Sequence, residues 1–272
     1  MKNPWKISLL LWLMALLAGP ACSQENLWNK LNSETMMLYK QGQYPEAAKS
    51  AEKELKIAEK TFGPKHHNVA TSLNNLAEIF RLQGNYTAAE TLYVRALAID
   101  EKAQGAAQLE VAAYLNNLAA LYSAQERYGE AEPLYKRSFK IKEKSLGKEH
   151  PEVAKSLNNM AAFYCAQERY GEAEPLFKRA LAIKEKALGR DDPDVATSLN
   201  NLAALYCSLG KYAKAGPLYQ RALAIWEKTL GPEHPTVATV LENLAELYQD
   251  TGQPDKAGRL LERAKKIRLL NQ

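Results

Sequence analysis

The residues able to do chemistry in this chain are few, and their spacing argues against a reaction centre. His66, His150 and His234 recur at multiples of 42 residues, and His67 follows directly on the first. Side chains separated by whole structural units do not converge on a metal, which needs about four ligands within bonding distance. Three cysteines are too few for a disulfide framework and match no zinc spacing. Cys165 and Cys207 also stand 42 residues apart, and neighbouring helices lie about 8–10 Å from one another. A disulfide needs Cα atoms within about 7 Å, so the pair is expected to be unbridged. Carboxylates are plentiful but recur with the same period, which leaves no unique acid and base. No phosphate-binding loop, dinucleotide fingerprint or nucleophile elbow is found. No catalytic residue, metal ligand, cofactor or small-molecule substrate is therefore expected, and the chain reads as non-enzymatic.

Asparagine is the polar residue with a pattern. Asn74-Asn75, Asn116-Asn117, Asn158-Asn159 and Asn200-Asn201 recur every 42 residues. An asparagine side chain offers two donors and an acceptor, which suits it to hold the backbone of an extended peptide. Ala120, Ala162 and Ala204 lie one turn further on and would let that backbone come close. Lys155 adds a charge, while Glu78, Glu242 and Glu246 make the two ends more acidic. An equally physical reading has the asparagines bonding a neighbouring helix and fixing the step between repeats. The first residue of each pair (Asn74, Asn116, Asn158, Asn200) is assigned here to partner contact, the second to structure.

The elements that must position these residues follow from the repeat. A 42-residue frame runs without a gap from Asn29, giving 29–70, 71–112, 113–154, 155–196, 197–238 and 239–272. A strict period of this length is the signature of stacked repeats. In the third copy Val111, Leu115, Leu118 and Tyr122 form one stripe of a helix, and Ala131, Leu134, Tyr135, Ser138 and Phe139 form the stripe of a second. Gly147, Gly189 and Gly231 close the second helix, and Pro151, Pro193 and Pro235 open the next. No copy can bury its stripe alone, so stacking makes the core. The arc opposite the core stripe of the first helix carries Ala113, Asn116, Asn117, Ala120, Ser123 and Ala124. Lys136-Arg137, Lys178-Arg179 and Arg221 alternate with glutamates as a solvated face, and Trp226 is expected to pack on the next repeat.

Leu202, Ala203, Tyr206, Gly210, Tyr212, Ala215, Tyr219 and Ala222 resemble the tetratricopeptide repeat pattern in order. The 42-residue length, the LNNLA opening, EAEPLYKRAL and the LGxEHPxVA link resemble the kinesin-light-chain type of that repeat. The resemblance implies an all-α, right-handed superhelical solenoid of helix-turn-helix units whose first helices line the concave surface. It also implies a protein or peptide partner on that surface. A kinesin light chain carries a long heptad coiled coil before its repeats, which the residues preceding Asn29 do not resemble, so motor attachment is not expected.

Residues 1–23 read as a signal peptide, with Lys2 and Lys6 before the uncharged run Ile7–Leu17 and a small-residue end. Residues 24–28 then form a spacer. Cleavage after Ser23 would release a soluble chain, lipidation of Cys22 would tether it, and an uncleaved leader would anchor it in the membrane. The expected location is exported: periplasmic, secreted or lipid-anchored in a bacterial envelope. The formal charge of +5 includes the two leader lysines and falls to +3 without them. No basic block stands free of acidic neighbours, so no nucleic-acid footprint is expected. The leading function is an interaction scaffold; the alternative is an assembly lipoprotein using its edges and ends. Met36-Met37 stand in the core stripe of the first repeat, and the last helix, ending Ala264–Leu270, has an outer apolar face; self-association is possible through the terminal repeats.

Overall fold

The computed structural model describes residues 23–101 and 107–271. The leader residues 1–22, Cys22 among them, lie outside the described residues. Twelve helices are present among the described residues, with no strand. They are α1 (23–40), α2 (Tyr44–Phe62), α3 (His67–Leu82), α4 (Tyr86–Asp100), α5 (Ala107–Ala124), α6 (Tyr128–Leu146), α7 (Pro151–Cys165), α8 (Tyr170–Leu188), α9 (Pro193–Ser208), α10 (Tyr212–Leu230), α11 (Pro235–Asp250) and α12 (Pro254–Leu270). The expected all-α class of tandem helix-turn-helix units is what they form. None of these helices is long and apolar enough to cross a membrane.

The period is as read, but the hairpins start ahead of the frame, at His67, Pro151, Pro193 and Pro235, so each frame boundary cuts a first helix. Residues 24–28 are not a spacer. They belong to α1, where Trp28 is buried, stacks edge-on against Phe62 and donates from Nε1 to Ser72 Oγ at 2.9 Å. Burial of an indole with its N–H satisfied explains why the helix extends this far.

The chain divides into two compact units, Met1–Leu134 and Tyr135–Gln272. In the first, α3 packs on α2, α4 and α5. In the second, consecutive helices from α7 to α12 pack in turn, and α9 also touches α7 and α11. One set of positions builds the core throughout. The alanine in the first turns of the second helices (Ala47, Ala89, Ala131, Ala173, Ala215, Ala257) is buried every time, because nothing larger allows the paired helices to approach. The aromatic one turn on (Tyr93, Tyr135, Phe177, Tyr219) is likewise buried. Trp226 is buried, at the position where Lys184 is also buried, the lysine Nζ donating to Asp194 O at 3.0 Å.

The link histidines are helix caps. Nδ1 of His66, His150 and His234 accepts from the backbone N–H two residues on, at 3.1, 3.1 and 3.2 Å. Asp192 does the same through Oδ1 at 2.8 Å. Each satisfies a donor that a helix start leaves open. The hairpin turns need a left-handed residue, and Glu126 and Glu168 (φ 59° and 58°) stand where Gly84 and Gly210 serve elsewhere.

Candidate functional site

The site expected from sequence is the polar arc of the first helices. Its asparagines form rungs between successive hairpins. Nδ2 of Asn75 donates to Asn32 Oδ1, that of Asn117 to Asn74 Oδ1, and that of Asn243 to Asn200 Oδ1, each at 3.0 Å. The bonded pair therefore joins the second asparagine of one repeat to the first of the repeat before. Both members carry structure, so the assignment of structure to the second alone does not describe these rungs. Each rung still leaves one amide N–H pair and one carbonyl oxygen uncommitted by the rung itself, on side chains that are half-buried rather than sealed.

Asn158 departs from this. It is buried, its Nδ2 donates to Ser198 Oγ at 3.0 Å, and its Oδ1 has no partner. Its side chain is thus not presented for contact. Asn116 is half-buried, as is Ala120, whereas Ala162 and Ala204 are exposed. Lys155 is exposed but paired with Glu152 at 2.6 Å. That hydrogen bond raises the Lys155 ammonium above its ordinary range. For Glu152, burial alone would push the carboxyl up, but Lys155 and Lys142 hold it below the usual value.

Two cavities open on this arc. In the first unit a cavity of about 210 Å³ is lined by Met36 and Tyr39 of α1, Asn75, Glu78 and Ile79 of α3, and Asn117 of α5, among others. In the second unit one of about 330 Å³ is lined by Ala204, Cys207 and Ser208 of α9, Tyr219 of α10, and Asn243, Glu246, Leu247 and Asp250 of α11. Five positions are shared at a spacing of four periods: Met36 and Ala204, Tyr39 and Cys207, Asn75 and Asn243, Glu78 and Glu246, Ile79 and Leu247.

Their acids differ. Arg81 Nε and Nη2 fork onto Glu78 Oε2 and Oε1 at 2.8 and 2.7 Å, and Tyr93 donates to Oε2 at 2.7 Å. Burial would raise the Glu78 carboxyl, but the Arg81 and Tyr93 bonds hold it below the usual range. Of the two other groove acids, Glu242 is taken by Arg268 at 2.9 Å. Glu246 forms no ion pair or hydrogen bond among the described residues. Sequence reasoning put Glu78, Glu242 and Glu246 in one class. The Arg81 fork was legible as an i,i+3 spacing, and the absence of an arginine at Gln249 was legible too.

Cys165 and Cys207 are unbridged and half-buried. Burial pushes both thiols up, which makes poor nucleophiles of them. No three metal-ligating side chains converge among the described residues.

On the second helices a different ladder runs. Arg95 reaches Glu59, Arg179 reaches Glu143, Arg221 reaches Glu185 and Arg263 reaches Glu227, all at 2.5–2.6 Å. These four arginines are each committed to the preceding second helix, which accounts for their alternation with glutamates as scaffold.

Comparison with known proteins agrees with this construction. The sequence profile of the tetratricopeptide repeat matches residues 36–102, 110–186, 152–215 and 194–269. No curated protein matches the chain. Among solved structures, BtubC (BKLC) from P. vanneervenii is 26% identical, with a TM-score of 0.69 over 85% of this chain and 91% of that one. A putative kinesin light chain from Podosopora anserina, with nearly identical TPR-like repeats, is 30% identical, with a TM-score of 0.63 over 76% of this chain and 98% of that one. Aspartyl phosphate phosphatase F from Bacillus subtilis has a TM-score of 0.64 over 94% of this chain and 74% of that one, but at 15% identity this shows the fold alone. Repeats of this family serve as scaffolds for protein–protein interaction. The profile covers most of the chain and the rungs and caps recur in its repeats, so the chain belongs to the tetratricopeptide repeat family, with repeats similar to those of kinesin light chains.

Proposed function

We propose that the chain is a non-enzymatic scaffold that binds an extended peptide or a segment of a partner protein along its first helices, the concave face of the solenoid. The observation that carries this reading is the arc itself. Half-buried asparagine rungs with spare donors and acceptors lie beside small exposed residues, and both cavities described above open there. The second-helix surface offers a poorer case, because its arginines are spent on the preceding helix. The site residues on this reading are Asn74, Asn116 and Asn200 with Ala120, Ala162 and Ala204, while Asn158 acts beneath them.

Ala162 and Ala204 are exposed, so tyrosine there fills the face without disturbing the rungs. Peptides selected from a random displayed library on the intact chain should lose affinity at least about tenfold for the Ala162→Tyr/Ala204→Tyr variant, with helicity and melting unchanged. Binders indifferent to both tyrosines would move the site elsewhere.

The chain is further proposed to be exported, on the strength of the leader sequence in residues 1–23. Mass spectrometry of the mature N-terminus from the source organism tests this. Free Gln24 or diacylglyceryl-Cys22 supports export, and an intact Met1 start in the cytosolic fraction sinks it.

A further inference from the structure

The cavity between α9 and α11 has a chemical direction. Glu246 and Asp250 stand one helical turn apart on α11, both exposed, with Asn243 a turn before and Leu247 and Ala204 giving an apolar wall. No lysine or arginine lines it. The nearby cations are engaged elsewhere: Lys211 and Lys214 lie over the Tyr206 ring, Lys211 also reaches Glu174 at 3.5 Å, and Lys256 lies over Tyr248. The charge of Asp250 pushes the nearby Tyr212 phenol up, and Asp250 forms no ion pair among the described residues.

The molecule itself shows what such a carboxylate binds. Glu78 occupies the position of Glu246 four periods earlier, and there the guanidinium of Arg81 lies on it through two parallel N–H···O bonds. At the position of Arg81 the later repeat has Gln249, and at that of Tyr93 it has Leu261. Arg81, Tyr93 and Tyr39, the three groups bonded to Glu78, give way to Gln249, Leu261 and Cys207, none of which supplies a counter-charge, while the acid and the asparagine beside it (Asn75, Asn243) are kept. A planar fork with five donors matches this geometry better than an ammonium does.

We propose that this cavity receives an arginine side chain of the bound partner segment, its guanidinium paired with Glu246 and Asp250 and its stem against Leu247 and Ala204. The inference rests on the reading that the first-helix face binds peptide, and it adds the partner's chemistry.

The displayed random library, selected on the intact chain, should yield arginine-enriched binders. Replacing that arginine by citrulline, which keeps the shape and removes the charge, should weaken a synthetic binder at least about tenfold. Two variants should abolish the enrichment. Glu246→Gln/Asp250→Asn removes the charge, and Gln249→Arg supplies from within the chain the guanidinium that Arg81 supplies to Glu78. All three positions are exposed, and unchanged circular dichroism and melting check that each variant folds. Binders without arginine, or an enrichment that persists in both variants, overturn the proposal. If those binders still lose affinity on Ala162→Tyr/Ala204→Tyr, the peptide-binding face stands without it. Recovery of no binder at all overturns both.

Discussion

The cavity of the first unit and that of the second use the same five repeat positions, but only the first has its acid internally satisfied. Glu78 is held by an arginine, by the buried Tyr93 and by Tyr39 at 3.4 Å, whereas Glu246 faces the cavity without a counter-charge. The difference is made chiefly by residues that line neither space, at positions 81 and 93 against 249 and 261, and also by the lining residue Tyr39, whose place Cys207 takes. A repeat can therefore keep the acid of a pocket and change its chemistry from behind as well as from the walls.

Arg81→Gln is the most direct way to break this contrast, since it leaves Glu78 four-fifths buried without its cation. Uncompensated burial of a charge predicts a loss of about 2–4 kcal/mol in the first unit, read by urea denaturation. The pH dependence follows from the direction of the Glu78 shift. A carboxyl held below its unfolded value contributes stability above that value, about 4.3, and loses it as pH falls through the folded one. The deficit of the variant should therefore be full at pH 7 and shrink on acidification; a deficit that stays constant to pH 3 would mean that Arg81 acts by packing.

Tyr93→Phe tests the neutral partner. Losing one hydrogen bond to a buried carboxylate should cost about 1.5–3 kcal/mol, while Leu261→Phe, at the equivalent position, should leave the second unit's stability within about 0.5 kcal/mol. Equal effects at both positions would show that the phenol matters as bulk. Matched rung variants come next: Asn75→Ala and Asn243→Ala should each cost about 1 kcal/mol, because the rungs are alike at 3.0 Å in both units. A loss confined to one unit would end the equivalence on which the contrast rests. Smallest is the gain from Gln249→Arg, about 0.3–0.5 kcal/mol for an exposed i,i+3 pair, measured in low and high salt.

Much of this architecture is legible in the residues themselves. The period, the buried alanine, the aromatic and the glycine stops are each repeated, and repetition turns a weak preference into a pattern. The rungs are harder to read, because Asn74 and Asn75 are neighbours in sequence but bond in opposite directions, to Asn117 and Asn32. The caps were half legible: Asp192 is a known capping type, but imidazole acceptors at His66, His150 and His234 are not what a residue preference suggests. Glu54 was missed outright. It fills the place of Ala96, Ala180 and Ala222, is fully buried, takes a 2.7 Å bond from Ser72 on Oε1 and has no partner on Oε2. Burial pushes its carboxyl upward, and the polar groups facing it, Ser72, Thr35 and Asn75, are all uncharged. Its place in the repeat, filled by alanine elsewhere, is the sequence signal that separates it from the solvated glutamates beside it.

Each asparagine rung has a direction, since the later hairpin always donates and the earlier always accepts. A hairpin such as that of Asn74-Asn75, which accepts from Asn117 and donates to Asn32, is thus a building block with a socket on one side and a plug on the other. Gene duplication could lengthen such a chain without inventing a contact, since a copied unit arrives with both ends already matched. A side-chain pairing shared by successive hairpins in this way makes growth by copying easy.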